Sequence, residues 1–168
     1  MNLEAPLAAA GGPRLLHPGD VACAGAGEIL ETLLGSCVAI ILTDPRRTVG
    51  AMCHVVHTGC GNTASGRDTS FGEVALARMR EMLLAQGIQP QLCHAYVYGG
   101  GNMFPQLVAP PHVGEDNARW ARAALAREGI AIMAQDLGGA VYRRVSWTVG
   151  PSQPTVRAVP VLPVADAR

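Results

Sequence analysis

Residues 38–42 (VAIIL) form an unbroken run of apolar, mostly β-branched side chains, and a second such run covers 49–56 after the turn signal Asp44-Pro45. Two runs of this kind joined by a tight turn predict a β-hairpin. Further along the period changes. Between 71 and 86 the apolar residues Val74, Leu76, Met79, Met82 and Leu83 recur at helical spacing, and Gly87 stands where a C-terminal cap belongs, which predicts an amphipathic helix. Residues 95–98 predict a strand running into Gly99-Gly100-Gly101-Asn102, and 116–127 predict a second helix closed by Gly129. Residues 130–134 and 141–149 predict strands separated by a turn at Gly138-Gly139. Two helices and several strands, mostly in hairpins, indicate a layered α/β sandwich with a largely antiparallel or mixed sheet. Residues 1–13, and 158–168 with Pro160 and Pro163, read as flexible tails around one core spanning 14–157.

Composition narrows the function classes. A chain of 168 residues, 49% apolar and 15% charged, is long enough to bury one core. Its 13 basic and 13 acidic residues cancel and are spread along the chain, so there is no electrostatic footprint for nucleic acid or anionic lipid. Every basic residue is Arg, which excludes Schiff-base chemistry, a lysine general base and the lysine of a phosphate-binding loop. No apolar run reaches the roughly 20 residues of a membrane-spanning helix, so no membrane insertion is expected. The first residues, MNLEAPLAAAGGPR, carry no basic segment before an apolar one, so a cytoplasmic location is expected. The five cysteines, 23, 37, 53, 60 and 93, are odd in number and irregular in spacing, as reduced thiols would be.

The segment that carries chemistry is Thr32-Leu33-Leu34-Gly35-Ser36-Cys37, in which a Gly35-Ser36 turn delivers a thiol at the mouth of a buried strand. Such a turn can aim successive backbone N–H groups at one spot, as an oxyanion beside a nucleophile requires. If Asp44 to Arg47 make a four-residue turn with Pro45 second, Cys37 lies directly opposite His54 across the hairpin. Directly opposed Cβ atoms stand roughly 4.5–5.5 Å apart, within reach for a thiol and an imidazole. A cysteine nucleophile needs such a base. Thr32 is the candidate for the group that orients the imidazole, or else it caps a turn.

Cys53-His54-x-x-His57-x-x-Cys60 contains zinc-ligand residue types. On a strand, however, 53, 55 and 57 point one way and 54 and 56 the other, so the four do not converge and no metal is expected. Ala24-Gly25-Ala26-Gly27 lacks the third glycine of a dinucleotide fingerprint and reads as a turn, so no cofactor is expected either.

Taken together, TLLGSCVAI, Asp44, GAMCH, YVYGGGNMF, VGEDNARWARAALAREGI and AQDLGGAVYRRVSW resemble, in order, the CheD family of chemoreceptor glutamine deamidases. The resemblance implies a three-layer α/β/β sandwich. It also implies a protein-glutamine glutaminase that hydrolyses glutamine side chains, and glutamate methyl esters, on the cytoplasmic helices of methyl-accepting chemotaxis receptors. The family's nucleophile falls on Cys37 and its histidine on His54, while its threonine falls nearest to Thr32, with Glu31 beside it. A CheC-type phosphatase is the further partner it implies. The alternative is a non-catalytic adaptor that binds such a phosphatase or the receptor. After the histidine, His57-Thr58-Gly59-Cys60 replaces the Leu-Pro often found in relatives.

Overall fold

The computed structural model describes residues 11–59, 61 and 66–161. Among these residues two sheets and two α-helices form three layers. The strands are β1 (Arg14–Leu16), β2 (Val21–Gly25), β3 (Ile29–Leu34), β4 (Val38–Thr43), β5 (Val49–Val55), β6 (His94–Gly99), β7 (Ala131–Leu137), β8 (Val141–Thr148) and β9 (Thr155–Pro160), and the helices are α1 (Gly72–Ala85) and α2 (Val113–Arg127). One sheet has the order β2-β5-β4-β6-β7 and the other β1-β3-β8-β9. Both are mixed, with β1 parallel to β3 and β7 parallel to β6. Among the described residues no helix is long and apolar enough to cross a membrane.

The central strands β4 and β5 are buried on both faces, which explains their continuous apolar reading. Val38, Ile40, Leu42, Cys53 and Val55 pack against Leu76, Met79 and Leu83 of α1 and Ala121 and Leu125 of α2. The alternate residues Ala39, Ile41, Met52, Tyr96 and Tyr98 face the second sheet, meeting Leu30, Leu34, Val145 and Trp147. The order of layers is therefore helices, five-stranded sheet, four-stranded sheet.

The expected hairpin forms in a different register. Arg47 N–H donates to the Asp44 carbonyl at 2.8 Å, closing the four-residue turn. Arg47 then adopts a left-handed φ of 56°, and the Asp44 carboxylate accepts from the N–H groups of Thr48 and Val49, which keeps Thr48 in the loop. The ladder restarts at Thr43–Gly50, so His54 lies opposite Ala39 and not Cys37. The offset is two residues. Side chains alternate with period two, so His54 still shares a face with Cys37 and becomes its diagonal neighbour.

Three other expectations change. β7 and β8 flank the Gly138-Gly139 turn but do not pair; β7 joins β6 through the α2 crossover and β8 joins β3 and β9 in the other sheet. Helix α2 begins at Val113, three positions before the expected start, because His112 caps it by accepting from Glu115 N–H. Ala158 and Pro160, assigned above to a tail, close β9 and pair with Arg143 and Val141.

Candidate active site

The turn Gly35-Ser36-Cys37 is where the chain leaves β3 in one sheet and enters β4 in the other. Each of its three carbonyls is tied. Gly101 N–H donates to Gly35 O at 2.9 Å and Gly100 N–H to Cys37 O at 2.8 Å. The Asn117 side-chain amide donates to Ser36 O at 3.0 Å. The glycine segment after β6 is there for close approach: Gly99 has φ +115°, and a Cβ on it would lie 2.2 Å from Cys37 O. Cys37 is half-buried and packs against the core between the sheets.

His54 and Thr32 enter the same layer from two different sheets. Thr32 lies on the buried face of β3, its neighbour Glu31 on the other face, where it accepts from Ser146. The Thr32 hydroxyl donates to Leu16 O at 2.9 Å, across the parallel β1–β3 pair. It also lies 2.8 Å from His54 Nδ1. A carbonyl only accepts, so the hydroxyl proton goes to Leu16 and the hydroxyl oxygen accepts from His54 Nδ1–H. This assigns the tautomer from bonding logic and leaves Nε2 unprotonated, as a base requires. The loop between β1 and β2 holds the backbone of His54, with Gly19 N–H donating to His54 O and His54 N–H donating to Asp20 O.

Burial lowers the His54 pKa, with opposing contributions from the Leu16 carbonyl and Asp20. Burial alone raises that of the Cys37 thiol. Among the described residues no hydrogen bond joins Cys37 to His54. Both shifts favour neutral forms, so the resting pair is a thiol beside a neutral imidazole. A base must be unprotonated to act, so activity that depends on His54 is lost as pH falls through a value below the ordinary histidine pKa of about 6.5. A pH–kcat/KM profile is expected to show its acid limb there, and a limb at or above neutrality would overturn the neutral-pair assignment.

The other candidates separate from this layer. Cys53 faces the helices, its thiol pushed to about 12 by burial, while His54 faces the second sheet, so the two strand neighbours of the zinc motif diverge. Cys60 lies outside the described residues. His57 packs against Phe71 with ring centroids 5.0 Å apart and planes tilted by 37°. His94 opens β6 at the end remote from Gly99.

Two replacements of Thr32 test the hydroxyl. Thr32→Val keeps the shape but leaves His54 Nδ1–H and Leu16 O without it, a loss on the order of 1–3 kcal/mol for an unsatisfied buried group. Reduced thermal stability and a lower kcat are expected in Thr32→Val, with both recovered in Thr32→Ser. Equal behaviour of the two variants would show that the hydroxyl orients nothing.

Asn117 lies in one of the matching segments but carries no site signal of its own in the sequence. Nothing local in a helix signals a bond to a turn 81 positions away. Beside it, His57, Phe71, Val113 and Asp116 line a pocket of about 260 Å³. A second pocket of about 230 Å³ is bounded by Ser36, Met103, Phe104 and Val108. Only the second includes a residue of the thiol-bearing turn, Ser36, in its lining.

These features define an α/β/β sandwich with a half-buried thiol and a hydroxyl-bonded imidazole on one face between its sheets. Residues 57–158 match the family described as CheD chemotactic sensory transduction. The chain is 35% identical over 138 residues to the probable chemoreceptor glutamine deamidase CheD 2 of Albidiferax ferrireducens, covering 80% of each chain. It is 33% identical over 150 residues to the probable chemoreceptor glutamine deamidase CheD of Pseudomonas savastanoi, covering 88% of this chain and 85% of that one. The corresponding protein of Methanococcus maripaludis is 31% identical over 139 residues, covering 83% and 90%. The chain belongs to the CheD family.

Proposed function

We propose that this protein is a protein-glutamine glutaminase that deamidates glutamine side chains on the cytoplasmic helices of chemoreceptors, with Cys37 as nucleophile, His54 as base and Thr32 as the group orienting the imidazole. The names of its relatives support the substrate class. The observation that carries the mechanism is the 2.8 Å contact between Thr32 Oγ1 and His54 Nδ1, which leaves Nε2 free on the face that bears Cys37.

His54 Nε2 takes the thiol proton as sulfur attacks the carboxamide carbon, since only the thiolate is a competent nucleophile. The developing oxyanion is met by N–H groups of the Gly35-Ser36-Cys37 turn. As the tetrahedral intermediate collapses, the imidazolium gives its proton to the leaving amide nitrogen, releasing ammonia and a thioester. Water deprotonated by the same His54 attacks the thioester, yielding glutamate, and the proton returns to sulfur. A glutamate methyl ester would follow the same course with methanol as the leaving molecule.

The test is to incubate the protein with a receptor cytoplasmic fragment, measuring ammonia and locating converted residues by mass spectrometry. One ammonia per glutamine converted to glutamate is expected. A fragment that binds but releases no ammonia would favour the adaptor reading.

A further inference from the structure

Asn117 joins the two segments on which the proposed chemistry depends. It sits on α2, 1% exposed, and its Nδ2 donates both protons, one to Ser36 O at 3.0 Å and one to Val56 O at 3.1 Å. Ser36 precedes Cys37, and Val56 follows the end of β5, two positions after His54. A side-chain amide is planar with its two donors at a fixed angle, so these bonds hold the nucleophile turn and the strand carrying the imidazole in one relation.

The bond to Ser36 does something more specific. A trans peptide is planar, and its C=O and N–H point in opposite directions. Fixing the Ser36 carbonyl toward α2 therefore fixes the Cys37 N–H away from it. Among the described residues, the Ser36 and Cys37 N–H groups have no acceptor, while the carbonyls around them are all taken. A buried or half-buried donor held in one direction without a partner is a preorganised site for developing negative charge.

We propose that Asn117 is a positioning residue that aims the Cys37 N–H at the oxyanion of the deamidation reaction; this rests on the function proposed above. It touches no reacting atom. Its effect runs through the orientation of the Ser36–Cys37 peptide, so its loss slows the step in which the oxyanion forms without altering thiol–imidazole proton transfer.

The experiment compares wild type with Asn117→Ala and Asn117→Leu, the second retaining most of the side-chain volume. It measures thermal melting, kcat and KM on the receptor fragment, the acid limb of the pH profile, and the rate of Cys37 alkylation by iodoacetamide. Alkylation is a displacement at saturated carbon and forms no oxyanion. In a folded variant kcat is expected to fall about 10²- to 10³-fold, the usual effect of removing one oxyanion donor. KM, the acid limb and the alkylation rate are expected to stay at wild-type values. Retention of kcat within about tenfold would overturn the proposal, being less than one such donor contributes. A parallel loss of kcat and alkylation would overturn it too, by assigning the defect to the thiol–imidazole pair. Unfolding of both variants would reduce Asn117 to a fold-holding residue. Absence of ammonia from the wild type would instead refute the deamidase reading itself.

Discussion

Cys37→Ala is expected to end ammonia release from the receptor fragment while leaving the thermal transition close to that of the wild type. The bonds that shape the turn use the carbonyls of Gly35, Ser36 and Cys37, and replacing a side chain leaves them intact. The thiol itself is half-buried at the edge of the inter-sheet core, so its removal opens less of a void than truncation inside the core would. Chemistry is lost because no covalent thioester can form. An adaptor would keep its effect in this variant, and a stoichiometric binding assay separates the two. A folded Cys37→Ala protein with near-normal turnover would remove the covalent mechanism.

His54→Gln is expected to lower kcat by about 10²- to 10⁴-fold, the range a general acid–base group contributes. Glutamine can occupy much of the imidazole's space, and its amide can still donate to the Thr32 hydroxyl. It cannot accept the thiol proton or return one to the departing nitrogen. His54 is 2% exposed, so a packing defect is the competing explanation, and it would lower the melting temperature in step with activity. Substantial activity in a folded His54→Gln protein would transfer the base to another group, with His57 first in line because it lines a pocket together with Asn117.

The sequence made several parts legible because their signals are local. The alternation between faces on β4 and β5, the helical spacing of α1 and the glycine after it depend on neighbours a few positions apart, and these elements stand where they were expected. The same locality explains why the sequence places Cys37 and His54 on one face although they are not directly paired. Parity survives an offset of two residues, whereas register depends on the left-handed conformation of Arg47 and on Asp44 capping the following backbone. The three-residue β1 offered too short a pattern to read.

The sequence by itself determined the family, the central hairpin, both helices and the turn that presents Cys37, since each is written in residue types and short-range periodicity. Only the tertiary structure decided that β7 pairs in parallel with β6 while β8 crosses to the second sheet. It also decided that a threonine on one sheet bonds a histidine on the other, and that a helix asparagine spans the nucleophile turn and the end of β5. Those partners lie 22, 81 and 61 positions apart. Contacts over such distances are selected by which layers can bury their apolar faces together, and that is a property of the assembled sandwich, absent from any one segment.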